Sequence, residues 1–379
     1  MLKRLKTLFL SFSILLSCAT AAHAQTTKTV KYSTRDKGIE KSIENWGIDA
    51  TWVNNYNAKA SSRNAGDQID FVRIGFYLHE KTNEDGSLSK GQIKELDKAL
   101  KFVRIVDEKM PIMLSPNNEK GIINWYKESD GSANVERWYN VMLKTKEYVE
   151  SKGHEVISLE VFNEPDWKEW NMGKQEDFKK LFRKCEDWEV LRVGPSTLAT
   201  DVAPGWYNAV HSQVEVGSTH TLWGPMKQYT DFIKKVKHRK RTFMNPEVHA
   251  LVEVIVGAEH EIDSVCWWDQ INVGRAAFMK ACQGHRLAYV PVKENWSAGC
   301  VYRGPDDVLY GFASTNERTN GKATKYKFVC TDQDMTYYPE GDEEKGVFRK
   351  RGEPYEVQAK IKGKGKPSIT QWFTMSPAS

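Results

Sequence analysis

Ser158-Leu159-Glu160-Val161-Phe162-Asn163-Glu164-Pro165-Asp166-Trp167 is the stretch on which the fold turns. From Val156 to Phe162 the residues are apolar or β-prone, and the run stops at Asn-Glu-Pro. Proline lacks a backbone donor and cannot continue an interior ladder, so a buried strand is expected to end at or just before Pro165. Asn163 and Glu164 then stand at the carboxyl end of that strand. Asn, Pro and Asp are also ordinary turn punctuation, so the rest of the chain has to give the stretch its meaning.

Strands are predicted before it at 46–52, 70–77 and 111–116, and after it at 190–195, 214–220, 242–249 and 264–268. Helical periodicity fills the gaps at 54–67, 89–107, 135–152, 175–185, 206–212, 226–237, 251–260 and 274–282. Ser89 is placed to cap one of these helices and Gly153 to stop another. Eight strands, each followed by a helix-length segment, predict an α/β fold, a (β/α)8 TIM barrel over residues 44–287. A doubly wound open sheet is the alternative, but no GxGxxG opens a helix after the first strand.

From 288 to 379 the pattern changes to short β-prone runs separated by turns such as Arg318-Thr319-Asn320-Gly321. That spacing predicts a smaller C-terminal antiparallel β-sandwich, and the polar lead, residues 25–43, offers it one more strand at 29–32. Two domains also suit the length, since a single core rarely grows beyond roughly 250–300 residues.

The first 24 residues read as an export signal. Lys3, Arg4 and Lys6 precede an apolar run from Leu8 to Leu16, and Ala22-His23-Ala24 offers a small-x-small cleavage site. The run is too short for a transmembrane span. Leu15-Leu16-Ser17-Cys18 gives an alternative, a lipid anchor on Cys18. The expected location is therefore secreted or periplasmic, or lipid-anchored.

Without the three basic residues of this segment the formal charge of +5 falls close to balance. Bulk charge thus gives no argument for a nucleic-acid partner. The basic run at 234–241 reads as the solvated end of a helix, where cations suit the macrodipole. Cys185, Cys266, Cys282, Cys300 and Cys330 show no CxxC spacing, and the histidines form no HExxH, so neither a metal nor a cofactor is expected. Thirteen tryptophans suit a carbohydrate partner, because flat aromatic faces stack on the C–H faces of sugar rings, although core packing also uses them.

Two carboxyl groups at strand ends can act on either side of a glycosidic bond, one as acid and one as nucleophile or base. Glu164 closes the fourth barrel strand and Glu247 the seventh. Glu253, Glu259 and Glu261 compete with Glu247, but they fall on or after the following helix. Arg73, in Val72-Arg73-Ile74, suits a structural ion pair, which a barrel mouth tolerates.

Asn163-Glu164-Pro165 after strand four, with Glu247 ending strand seven, resembles the clan A retaining glycoside hydrolases across residues 44–290. The resemblance implies Glu164 as general acid/base, Glu247 as nucleophile and Asn163 as a ligand of the sugar hydroxyl beside the anomeric carbon. It implies that Arg73 keeps the nucleophile ionised, that His220 stands near it, and that Trp268 stacks on a sugar. Trp267 should face the opposite way in the strand. Asn117 and Trp167 are further candidates for substrate contacts. Asn245-Pro246-Glu247-Val248-His249 departs from the small Glu-aromatic or Glu-Gly ending of the largest clan families. Trp46-Gly47-Ile48-Asp49, Glu160-Val161-Phe162-Asn163-Glu164-Pro165-Asp166 and the trailing sandwich look nearest to the β-agarase and β-porphyranase group. Xylosidase-like and mannanase-like families stay open. The implied activity is hydrolysis of a polysaccharide or derived oligosaccharide. Transglycosylation at the same site and glycan capture without cleavage are the alternatives.

Overall fold

The computed structural model describes residues 26–51, 54–117, 119–316, 322–360 and 371–378. The predicted export segment with Cys18, Trp52 of the first predicted barrel strand and the turn at 318–321 lie outside these residues. Two strands come first, β1 (Thr26–Tyr32) and β2 (Ile39–Glu40). Then β3 (Asn45–Asp49), β4 (Phe71–Tyr77), β5 (Ile112–Asn117) and β6 (Val156–Glu160) run parallel in sequence order. They are followed by β7 (Leu191–Ala199), β8 (Val216–Trp223), β9 (Thr242–Val248) and β10 (Ser264–Trp267). β10 pairs back with β3, and the barrel is closed.

One helix follows each barrel strand: α1 (Asn55–Ala65), α2 (Lys90–Val106), α3 (Val135–Ser151), α4 (Gln175–Lys184), α5 (Ala203–Val210), α6 (Met226–His238), α7 (Leu251–Glu259) and α8 (Val273–Ala281). Ser89 caps α2 as expected: its Oγ accepts from the Gln92 N–H at 3.1 Å, and the Gln92 side chain accepts from the Ser89 N–H at 2.9 Å. Strand ends differ from the sequence reading by a few residues. β6 stops at Glu160, where its ladder with β7 ends, while β7 and β8 keep pairing through irregular register to Ala199 and Trp223.

Inside the barrel, Phe71, Met113, Val193, Val216, Met244 and Cys266 form an apolar plug. These residues sit early on their strands, so the plug fills the amino-terminal end. The layer above it, toward the strand carboxyl ends, is polar and holds Arg73 and Glu160. A floor of apolar side chains thus supports a charged mouth, the arrangement that puts chemistry at the carboxyl face of such barrels.

The remaining strands are β11 (His285–Val292), β12 (Ser297–Arg303), β13 (Leu309–Thr315), β14 (Thr324–Cys330), β15 (Met335–Pro339), β16 (Val347–Arg349), β17 (Tyr355–Ala359) and β18 (Gln371–Pro377). They form two sheets, ordered β1-β14-β17 and β16-β15-β18-β13-β12-β11-β2. Both strands of the polar lead enter these sheets. The pair β1–β14 is parallel, with Thr26 opposite Thr324, while the others are antiparallel. No hairpin constrains β1, which arrives from the far end of the chain, so it is free to run parallel.

The larger sheet packs on α7 and α8. Residues 251–258 of α7 are therefore all buried, with barrel on one side and sandwich on the other, which explains why all of them but Glu253 are apolar. Polar ties cross the same seam. The Trp296 indole N–H donates to the Gly224 carbonyl at 2.9 Å, Arg286 pairs with Glu259 at 2.8 Å, and the Val252 N–H donates to Ser314 Oγ at 3.1 Å.

Candidate active site

Arg73, on β4, organises the mouth. Its guanidinium is buried and has five N–H donors, and every one finds an acceptor. Nε donates to Glu160 Oε2 at 3.0 Å, and Nη1 to Asp49 and to Glu247 Oε2, the latter at 3.1 Å. Nη2 donates to Ser115 Oγ at 2.9 Å and to Oδ1 of the Asn163 side chain. One cation therefore ties together residues from five barrel strands and the loop after β6. Sequence reading anticipated the contact with Glu247. It missed Asp49 and Glu160, both buried, although a carboxylate inside an otherwise apolar strand is itself a signal that a cation faces it. The Ser196 hydroxyl donates to the second oxygen of Glu160.

Glu164 lies just beyond β6 with a left-handed backbone, φ 53°. A residue before proline ordinarily prefers an extended conformation, so this one is held. Its N–H donates to the Ser196 carbonyl at 2.8 Å, and its own carbonyl accepts from the Trp167 N–H at 3.0 Å. The side chain is buried, and Oε1 lies 2.9 Å from His220 Nδ1 on β8. That nitrogen is also 3.7 Å from Glu247 Oε2. Both neighbours are acceptors, which assigns the proton to Nδ1.

Glu247, near the end of β9, accepts from Arg73 through Oε2 and from His249 Nε2 through Oε1, at 3.1 and 3.0 Å. His249 was not among the expected site residues, yet it stands two positions after Glu247, the spacing that places strand residues on one face. Its ring stacks on Trp268, with centroids 4.6 Å apart and planes 22° from parallel. Trp268 is half-buried, while Trp267 is buried and stacks on Trp46 at 6.3 Å, so the two indoles do face opposite ways. Arg275 fixes this corner by donating to the carbonyls of Trp268 and His249 at 2.9 and 2.6 Å.

The environments push the two glutamates apart. Burial raises the Glu164 carboxyl above the usual carboxylate range, and the nearby Glu247 charge adds to this; the His220 hydrogen bond opposes it without prevailing. Burial would raise Glu247 too, but His220, the His249 hydrogen bond and the Arg73 guanidinium hold it well below that range. A carboxyl that holds its proton more tightly than usual stands beside one that gives it up more readily. That is the division of labour an acid and a nucleophile require.

Glu164, Glu247, Asn163, Arg73 and His220 are thus brought together, and Trp268 adjoins them through His249. Asn117 is not part of this cluster. It closes β5, donates to the Thr51 carbonyl at 3.3 Å and lines a neighbouring cleft of about 360 Å³ with Tyr77 and His79. Trp167 is exposed on the loop after Glu164. Glu253, a sequence competitor of Glu247, is buried beneath the site: its carboxylate accepts from the His249 N–H at 3.0 Å and from Asn316 of the sandwich at 2.8 Å. Glu259 and Glu261 pair with Arg286 and Lys41.

One donor atom each from Glu164, His220 and Glu247 lie within 4.8 Å of one another. These are atom types that bind divalent cations. Arg73, 3.1 Å from Glu247, already supplies a fixed positive charge there and opposes a second cation.

Among solved structures, the chain resembles a GH30 endoxylanase from Clostridium papyrosolvens C71, with a TM-score of 0.57 at 11% identity over 93% of this chain and all of that one. An endo-β1,6-glucanase matches with a TM-score of 0.54 at 10% identity, over 93% of this chain and 95% of that one. The catalytic domain of GH30 xylanase C from Talaromyces cellulolyticus matches at 0.50 and 9%, over 92% of this chain and all of that one. The chain thus shares its fold with these glycoside hydrolases. At these identities the likeness is one of fold alone, and none of the three is described as an agarase or porphyranase. No family model matches the chain, and no curated protein matches it in sequence.

Proposed function

We propose that the protein is an exported retaining β-glycoside hydrolase acting on a polysaccharide or an oligosaccharide derived from one. The observation that carries this reading is the approach of the two carboxyl groups, with one oxygen of Glu164 within 4.8 Å of one oxygen of Glu247. Retaining sites hold their carboxyl groups about 5–5.5 Å apart, whereas inverting sites need roughly 6.5–9.5 Å to admit a water.

Glu247 attacks the anomeric carbon while Glu164 gives its proton to the departing oxygen, and a glycosyl-enzyme ester forms. The ester removes the charge of Glu247, so the pressure on Glu164 to stay protonated falls. Glu164 then takes a proton from water, whose oxygen attacks the same carbon and releases Glu247. His220, donating from Nδ1 to one oxygen of Glu164, leaves the other oxygen to carry the proton toward the substrate. Asn163, fixed by Arg73, presents its amide N–H to the sugar hydroxyl next to the reacting carbon.

The test is a reducing-sugar assay of the protein cut after residue 24 on xylan, β1,6-glucan, agar, porphyran, mannan and galactan. Proton NMR of the first product made supports the reading if it shows the β-anomer and overturns it if it shows the α-anomer. Binding without cleavage of any polymer would establish glycan capture instead.

The opposed shifts predict a wide pH profile for kcat/KM. Its acid limb, set by Glu247, lies below the ordinary glutamate range, and its alkaline limb, set by Glu164, lies above it. In His249→Ala the nucleophile loses a donor and binds its proton more readily. The acid limb should then move to higher pH, as kinetics from pH 3 to 9 would show.

A further inference from the structure

Aromatic surface is left open on one side of the mouth. Trp223, ending β8, is 68% exposed, and Trp167, after β6, is 39% exposed. Val202, on the loop after β7, is exposed as well. Three neighbouring strand-end loops therefore each present an apolar side chain to water.

The two tryptophans are carried on backbone locked to the same strand end. Asp166, which precedes Trp167, accepts from the N–H groups of Leu198 and Ala199 at 2.7 and 3.1 Å. Ala199 lies opposite Trp223 in the β7–β8 register, and the Thr200 N–H donates to the Trp223 carbonyl at 3.0 Å. Only β7 separates the two segments, at a strand spacing of about 4.8 Å per step.

Both segments also belong to the acid. Trp167 lies three residues after Glu164 and donates its N–H to the Glu164 carbonyl, and Trp223 lies three residues after His220, which holds the Glu164 side chain. The nucleophile's aromatic neighbour is a different one, Trp268, reached through His249. If Glu164 protonates the departing oxygen, the sugars beyond that oxygen lie on its side of the mouth. Open indole faces suit the C–H faces of those sugars and would otherwise be costly to leave in water.

We propose that Trp167 and Trp223 form a platform for the leaving-group portion of a glycan chain, so that the site takes an internal stretch of polymer and cuts it endo-wise. This rests on the glycosidase reading above and adds the class of substrate.

The experiment compares the polymer selected by the panel with the 2,4-dinitrophenyl glycoside of its repeating unit, which places no sugar beyond the departing oxygen. For Trp223→Ala and for Trp167→Ala, the ratio of polymer kcat/KM to aryl-glycoside kcat/KM should fall about tenfold each. Trp223→Phe, which keeps a flat ring, should retain most of that ratio. Wild type should lower polymer viscosity well before many reducing ends appear. An unchanged ratio in an active enzyme overturns the platform, as does release of single end sugars only. A wild type inactive on both substrates overturns the glycosidase reading, and the platform falls with it.

Discussion

Glu247→Ala should lower kcat by roughly four to six orders of magnitude, the scale of losing a covalent nucleophile. The measurement that separates this from a folding defect is rescue with sodium azide on an aryl glycoside. Azide would occupy the vacated face and displace the leaving group in one step, giving a glycosyl azide of inverted configuration. Glu164→Ala should behave differently. Its loss should be about two to four orders of magnitude, and azide should attack the glycosyl-enzyme in a second displacement, giving retained configuration. Identical products from the two variants would show that the roles are not divided as the geometry divides them. His220 Nδ1 faces both glutamates, at 2.9 and 3.7 Å, so a single configuration from both would implicate exchange between them.

Arg73→Met should be the most damaging change to stability. It leaves Asp49, Glu160 and Glu247 without their shared cation, and breaking a buried ion pair by removing one partner costs about 3–5 kcal/mol. Urea unfolding would read the loss. Its pH dependence gives a second check. The orphaned carboxylates would bind protons more readily folded than unfolded, so protonating them favours the folded form. The deficit should therefore shrink as the pH falls through the carboxylate range and grow again as it rises. A deficit independent of pH would mean that lost packing, and not unpaired charge, dominates. Arg73→Lys should recover little, because an ammonium cannot reproduce five N–H bonds in a fixed fork.

Much of the barrel was legible because its signal is local. Apolar strands alternating with capped, amphipathic helices repeat at a beat that few other folds produce, and Ser89 or Pro165 marks an end by chemistry that needs no partner. Glu164 and Glu247 could be read for the same reason, as carboxylates at strand ends. What could not be read depends on contacts made across the barrel. Asp49 and Glu160 acquire a role only when Arg73 arrives between them. Glu253 could be placed only on or after the helix that follows β9, but the sandwich covers it, and Asn316 reaches across to hold it under His249. Helix periodicity cannot foresee a second domain on the outer face. β6 ended earlier than its apolar composition implied, since a strand stops where its neighbour's ladder stops.

The placement of β1 dictates an order of assembly. The first strand among the described residues lies beside β14, made only after the entire barrel, and it forms one edge of a sheet in which β14 is central. Until then Val30 and Tyr32, which end up buried beside Phe328 and Tyr337, have nothing to pack against. Pairing over so long a separation is slow, and an unpaired edge is where chains stick to one another. The barrel can be finished while the sandwich is still open, and the pairing of β1 with β14 then acts as a clasp across it.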